Sequence, residues 1–229
     1  MNSVVIVAAG SGTRMGPGVD KLFLELADRP VIAHTWQRWE EAADVDEIVL
    51  VVRPGLEPVF AELAGRFGFR KPHRFAAGGA ARQDSVWNGL QAVTPGCELV
   101  AIHDGARPCT SPALIAATLA AARETGAAVA AERITDTVKV AEHGTLVTAH
   151  LDRSKLWTVQ TPQAFRLAVI LRALTAVREQ GRVITDDTAA CELIGQPVRL
   201  VESPTPNPKV TTPATLPWVE LQLRRFAPG

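Results

Sequence analysis

The sequence predicts an α/β protein: a mostly parallel, Rossmann-like sheet with helices on both faces and a projecting β-hairpin arm. Three observations carry this. Short apolar runs recur at residues 4–7, 48–52, 99–102 and 127–131, and segments with apolar residues at helical spacing separate them. Strands covered on both faces read as continuous apolar runs, and their alternation with helices implies ligands at the carboxyl ends of the strands. After Glu132 the rhythm changes to two-residue alternation around a glycine turn.

Residues 4–7, Val-Val-Ile-Val, make the first strand, since β-branched side chains suit a sheet interior. Pro30 opens a helix in which Ile32, Trp36, Trp39 and Ala43 fall at spacings of four, three and four. Residues 48–52 are a second strand, closed by Arg53-Pro54-Gly55, and 57–66 a polar-faced helix. A short strand, 73–76, leads to Gly78-Gly79 and a helix over 80–93 with Val86, Leu90 and Val93 on one side. The strand 99–102 ends at His103-Asp104-Gly105-Ala106-Arg107-Pro108. Ser111-Pro112 places an N-cap before a proline at the first helical position, and Leu114, Ile115, Thr118, Leu119 and Ala122 give that helix its core face. Residues 127–131 are the fifth strand.

Residues 137–140 and 146–149 flank Glu142-His143-Gly144-Thr145 and read as a hairpin. Alone it is marginal, with two open edges; packing against a second subunit or back onto its own domain resolves this. Residues 157–160 rejoin the body before Thr161-Pro162-Gln163, and a helix carries Phe165, Val169, Ala173 and Val177. Thr185-Asp186-Asp187 caps a short helix to Ile194, 198–201 form a strand, 203–208 a loop, and Pro213 opens a last helix through Phe226. Residues 1–229 read as one domain with 133–156 as an inserted β-arm.

Lys+Arg 24 balance Asp+Glu 24, which argues against a general nucleic-acid or membrane-surface binder. No apolar run approaches the roughly 20 residues of a membrane span, and no signal pattern precedes the first strand. Cys97, Cys109 and Cys191 lack metal-binding spacing, so a disulfide framework is not expected and the cytoplasm is the default compartment.

The first strand runs into Ala8-Ala9-Gly10-Ser11-Gly12-Thr13-Arg14-Met15-Gly16 and then Lys21. Small residues let a ligand approach the backbone, successive N–H groups make an anion-binding concavity, and Arg14 and Lys21 add charge suited to phosphate. A dinucleotide fingerprint fits poorly, with Met15 at its third small position, although Arg53 would suit a 2′-phosphate. A Walker loop fails because Asp20 precedes Lys21 and Leu22 follows it. Gly78-Gly79-Ala80-Ala81-Arg82-Gln83-Asp84-Ser85 opens a helix, where a flat base can sit against backbone and Ser85 can reach its edge; a plain strand-to-helix turn is the alternative. Asp104 suits a ribose hydroxyl or Mg²⁺, and Arg107 a phosphate; an Asp–Arg pair fixing the loop is the alternative. Arg153, Thr161, Lys209 and Thr137 are polar residues near breaks in structure, each singly consistent with a solvated surface.

Together these stretches, with Asp136-Thr137-Val138-Lys139, Thr161-Pro162-Gln163, Thr185-Asp186-Asp187 and Asn207-Pro208-Lys209-Val210-Thr211, resemble the 2-C-methyl-D-erythritol 4-phosphate cytidylyltransferase family over nearly the whole chain. The resemblance implies a nucleotidyltransferase domain, with CTP and a polyol phosphate as substrates and Mg²⁺ or another divalent cation as cofactor. It implies that Arg14 and Lys21 stabilise the transition state and that Arg153 and Lys209 position the acceptor. It places Ala8, Ala9, Gly10, Gly79 and Ser85 against the cytidine part and Asp104, Arg107 and Thr137 at the acceptor site, with Gly12, Arg82 and Thr161 also binding substrate. It also implies a homodimer through the arm, with Thr137 and Arg153 offered across the interface. The family usually has alanine at Gly105, which predicts a looser loop here, and a β-branched residue at Pro208, which bears on the aim of Lys209. Ribitol-5-phosphate cytidylyltransferase and a non-catalytic nucleotide sensor on the same scaffold are the alternative readings.

Overall fold

The computed structural model describes residues 1–225 except Ser11, Thr13, Arg14 and Pro17. In chain order the strands and helices are β1 (Asn2–Val7), β2 (Glu25–Leu26), β3 (Arg29–Pro30), α1 (Val31–Glu40), β4 (Glu47–Val52), α2 (Glu57–Phe67), β5 (His73–Ala77), α3 (Arg82–Gln91), β6 (Leu99–Asp104), α4 (Pro112–Thr125), β7 (Ala127–Arg133), β8 (Val138–Val140), β9 (Ala149–Leu151), β10 (Trp157–Arg166), α5 (Leu167–Glu179), α6 (Asp187–Leu193), β11 (Arg199–Glu202) and α7 (Leu216–Arg224). The central sheet has seven strands in the order β11-β7-β10-β6-β1-β4-β5. Every pairing in it is parallel except those of β10, which runs antiparallel to both β6 and β7.

Side-chain alternation sorts the core into two layers. Val4 and Ile6 of β1 join Trp36, Trp39, Phe60, Ile115 and Leu223 on one face. Val5 joins Val86, Leu90, Ile170, Leu174 and Val177 on the other. Helices α1, α2, α4 and α7 therefore cover one face, and α3, α5 and α6 the opposite one. Ser111 caps α4 by accepting the Leu114 N–H at 3.2 Å, as its position before Pro112 predicts. The chain winds outward from β1 through β4 to β5, then crosses to β6 on the other side of β1. The crevice between the carboxyl ends of β1 and β6 is thus the switch point at which α/β sheets bind ligands.

Three expectations need correction. The helix after Gln163 begins only at Leu167; Phe165 belongs to β10, and the helix buries Ile170, Ala173, Leu174 and Val177. Proline donates no ladder bond, so Thr161-Pro162 reads as a break; β10 passes through it by shifting its register on β7 between Val159 and Gln163. The second arm strand is 149–151 rather than 146–149, with Val138 opposite Leu151 and Val140 opposite Ala149. Residues 141–148 form a longer loop whose Leu146 and Val147 are exposed. Finally, α1 ends at Glu40, so Ala42 is buried in place of Ala43.

Gly89 lets α3 lie directly on the sheet. A Cβ there would stand 2.4 Å from Val5 Cγ1 and 2.7 Å from Val51 Cγ2. Overpacking of this kind costs roughly 1–3 kcal/mol, more than the ~1 kcal/mol that alanine gains over glycine in a helix. Gly89→Ala is expected to lower the melting temperature by several degrees in a thermal melt; an unchanged melt would contradict the close approach.

Candidate active site

The loops after β1, β5 and β6 enclose a cavity of about 340 Å³ lined by Ala9, Gly10, Lys21, Gly79, Arg82, Ser85, Asp104 and Lys209 among others. At Gly10 an added Cβ would meet nothing within 4 Å, so bare backbone faces open space. Gly79 is glycine for a different reason: a Cβ would come within 2.3 Å of Asp84 Cβ and 2.9 Å of its carbonyl carbon. Ala8 is buried and continues the strand, its N–H donating to Val51 O at 2.8 Å. Gly12, at φ +66°, leaves room for the stem of Lys21, whose Cγ would lie 3.3 Å from a Cβ. The Lys21 ammonium donates to Val210 O at 3.0 Å, tying the first loop to the segment that carries Lys209. Arg14, expected beside it, lies outside the described residues.

Two side chains near the cavity are tied into the protein itself. Ser85 is buried, and its hydroxyl accepts the Gly79 N–H at 3.0 Å and donates to Ala81 O at 3.2 Å. These bonds shape the loop, and Ser85 also lines the cavity. Arg53 forms an ion pair with Asp20, whose other oxygen accepts the Leu22 N–H at 3.2 Å. It therefore braces the approach to Lys21 and is not poised for a 2′-phosphate.

Asp104, at the end of β6, is the hub. Its carboxylate meets Lys209 Nζ at 2.6 Å, Arg82 Nε at 3.5 Å and Arg107 Nε at 3.7 Å. Burial opposes ionisation, but Lys209 and then Arg82 outweigh it and hold the carboxyl well below the usual carboxylate range. Arg82 continues to Asp187, donating at 2.8 Å. Asp187 is fully buried, and burial pushes its carboxyl above the ordinary value despite Arg82. Arg107 donates to Asn207 O at 2.6 Å. A second cavity, of about 570 Å³, includes Arg107, Thr161, Gln163 and Thr185 in its lining. The two cavities share Arg82, Asp104 and Lys209 as a common wall.

The loop bearing Asp104 is not loose. Gly105 N–H donates to Val7 O at 3.0 Å, and Thr35 Oγ1 donates to Gly105 O at 2.8 Å. A Cβ at Gly105 would meet Ile32 Cδ1 and Val7 O, both at 3.1 Å, so glycine tightens this corner. Pro208 leaves Lys209 aimed at Asp104. The Thr161 hydroxyl is engaged in the protein: it accepts the Asp104 N–H at 3.1 Å and lies 3.1 Å from His103 Nδ1. Thr137 and Arg153 are not brought in. Among the described residues lining either cavity, none comes from 133–156, and the exposed Arg153 donates to Thr135 O within the arm.

The pairing of Asp187 with Arg82 is hidden in the sequence, where Thr185-Asp186-Asp187 reads as a helix cap. Asp186 is that cap, accepting the Ala189 N–H at 3.1 Å. Only one carboxylate can cap a helix, and the second, adjacent acid was the available signal. Asn207 likewise binds Gln160, Thr161 and Thr110 side or main chains, a role invisible from composition.

The sequence model of the 2-C-methyl-D-erythritol 4-phosphate cytidylyltransferase family matches residues 2–225. The chain belongs to this family. Its members are cytidylyltransferases, and the chain is accordingly a nucleotidyltransferase enzyme of isoprenoid precursor synthesis. It is 45% identical over 222 residues to the 2-C-methyl-D-erythritol 4-phosphate cytidylyltransferase of Desulforamulus reducens, covering 96% of this chain and 95% of that one. It is 46% identical over 220 residues to the "Bifunctional enzyme IspD/IspF" of Desulforudis audaxviator, covering 96% of this chain but 56% of that longer protein. The crystal structure of the 4-diphosphocytidyl-2C-methyl-D-erythritol synthase of Anaerococcus prevotii superposes with a TM-score of 0.87 at 29% identity, over 98% of this chain and 96% of that one. The cytidylyltransferase of Thermus thermophilus superposes at 0.80 with 33% identity, over 97% and 98%. In the cytidylyltransferase family frame, a dehydrogenase reading of the first glycine loop falls away. Among the described residues no helix is long and apolar enough to cross a membrane.

Proposed function

We propose that the chain transfers the cytidylyl group of CTP to 2-C-methyl-D-erythritol 4-phosphate, forming 4-diphosphocytidyl-2-C-methyl-D-erythritol and pyrophosphate. The observation that supports this best is the pair of cavities sharing one wall of Arg82, Asp104 and Lys209. CTP occupies the cavity of Gly10, Gly79 and Lys21, and the acceptor's phosphate that of Arg107 and Thr161. An acceptor phosphate oxygen attacks the α-phosphorus of CTP, the new P–O bond forms as the bond to the β-phosphate's bridging oxygen breaks, and pyrophosphate leaves with that electron pair. A phosphate monoester has a second pKa of about 6, so the attacking group is already mostly dianionic and no protein base is needed. The protein supplies orientation and positive charge for two anions. Lys21 and Arg14 act on the triphosphate, and Lys209 and Arg107 hold the acceptor.

A divalent cation such as Mg²⁺ fits as a passenger on the triphosphate. Among the described residues no three carboxylate, imidazole or thiolate groups come together, and the only acidic residue lining the nucleotide cavity is Asp104. One carboxylate plus substrate phosphates is a common Mg²⁺ arrangement. When bound, the ion neutralises charge on the phosphates. Thr137 and Arg153 reach the acceptor from the arm of a second copy in a homodimer; the exposed Leu146 and Val147 of the arm support such packing. Three buried, unpaired cysteines support a cytoplasmic setting.

The test is pyrophosphate release with CTP and either methylerythritol phosphate or ribitol 5-phosphate. Turnover with the first and little with the second is expected. The reverse preference overturns the acceptor, and tight CTP binding without pyrophosphate release overturns catalysis.

A further inference from the structure

His103 is fully buried at the end of β6 and takes no part in the chemistry above. Its ring lies edge-on to Trp39 at 5.1 Å. Both nitrogens are engaged: Nδ1 lies 3.1 Å from Thr161 Oγ1, and Nε2 lies 3.1 Å from Arg107 O and 3.3 Å from Thr110 Oγ1. A carbonyl only accepts, so Nε2 carries the proton and Nδ1 is the acceptor. Thr161 must then donate to Nδ1, which leaves its oxygen to accept the Asp104 N–H. Thr110 completes the set by donating to Asn207 Oδ1 at 3.0 Å, while Asn207 Nδ2 donates to Thr161 O at 2.8 Å. Every role is consistent with one neutral tautomer.

We infer that His103 is a positioning residue for acceptor binding: one relay, Asp104 N–H to Thr161 to His103 to Arg107 O, sets where Arg107 stands, a residue that lines the acceptor cavity and not the nucleotide cavity. The two ends of the loop differ in their support. Gly105 is held independently by Val7 and Thr35, on the nucleotide side. The Arg107 N–H donates to Asp104 O at 3.0 Å, while its carbonyl is held by His103 and its side chain by Asn207, which the same network fixes. Loss of the imidazole is therefore felt at the acceptor and spared at CTP. Displacement of a binding group by an ångström is worth up to about a hundredfold.

This rests on the proposed reaction for its kinetic arm. His103→Gln retains an N–H toward Arg107 O and loses the acceptor for Thr161; His103→Phe keeps the packing on Trp39 and loses both. The expected result is a fall in kcat/KM for the acceptor of about tenfold in the Gln variant and about a hundredfold in Phe, with the KM for CTP within twofold of the parent. Equal losses toward both substrates, or a Gln variant with parental kinetics, overturns the inference; the Gln variant decides if Phe fails to fold. Nitrogen-15 NMR of the unmodified protein is expected to show the Nε2–H tautomer at His103, and an Nδ1–H tautomer overturns the relay. A wild type that releases no pyrophosphate would sink the reaction instead, and leave the relay to the spectrum.

Discussion

Lys21→Ala is expected to lower turnover by on the order of a hundredfold or more, the loss seen when a donor to developing negative charge is removed. The structure gives this residue a narrow task. Its stem runs beside Gly12, where any side chain would crowd it, and its ammonium lies at the cavity wall against Val210 O. On the proposed reaction its charge serves the pyrophosphate as it departs, so the effect belongs to kcat rather than to the affinity for CTP. The fold should survive, because Val210 is separately anchored through its N–H to Ala106 O at 2.8 Å. Pyrophosphate release and a calorimetric titration with CTP measure the two quantities. Near-parental turnover, or a loss confined to CTP affinity, would remove Lys21 from the transition state.

Asp104→Asn is expected to damage both stability and activity. The substitution keeps the shape and removes the one charge that Lys209, Arg82 and Arg107 share. Breaking a buried ion pair costs about 3–5 kcal/mol; Lys209 and Arg82 are each 31% exposed at the side chain, which places the expected loss near 3 kcal/mol. For a chain of this size that corresponds to a fall of roughly 10 °C in melting temperature. Turnover should fall at least tenfold as Lys209 and Arg107 lose their aim. The pH dependence has a definite sign. The folded-state pKa of Asp104 lies below that of the unfolded chain, so its stabilisation is complete above about pH 4 and fades as pH falls through the folded value. The gap in melting temperature between parent and variant should be widest at pH 5 to 7 and narrow below pH 4. A gap constant down to pH 2.5 would show that the carboxylate's charge is not what stabilises the cluster.

Local pattern alone determined most of the scaffold. The β-branched run at 4–7, the caps at Ser111 and Asp186, and the spacing of Ile32, Trp36 and Trp39 each depend on neighbours a few positions away. They therefore survive in the linear order. The two glycine loops and the Asp104 loop, which line the first cavity, were legible for the same reason: each follows directly on a strand. What tertiary structure decided is pairing at long range. Asp187 meets Arg82 across 105 positions, Lys209 meets Asp104 across 105, and β10 slips in antiparallel between β6 and β7. Nothing near Pro162 in the chain announces that a strand can pass through it, because the register shift that permits it belongs to the partner strand β7 as much as to β10. Charge and register are properties of two surfaces brought together, and a linear order carries only one side of each.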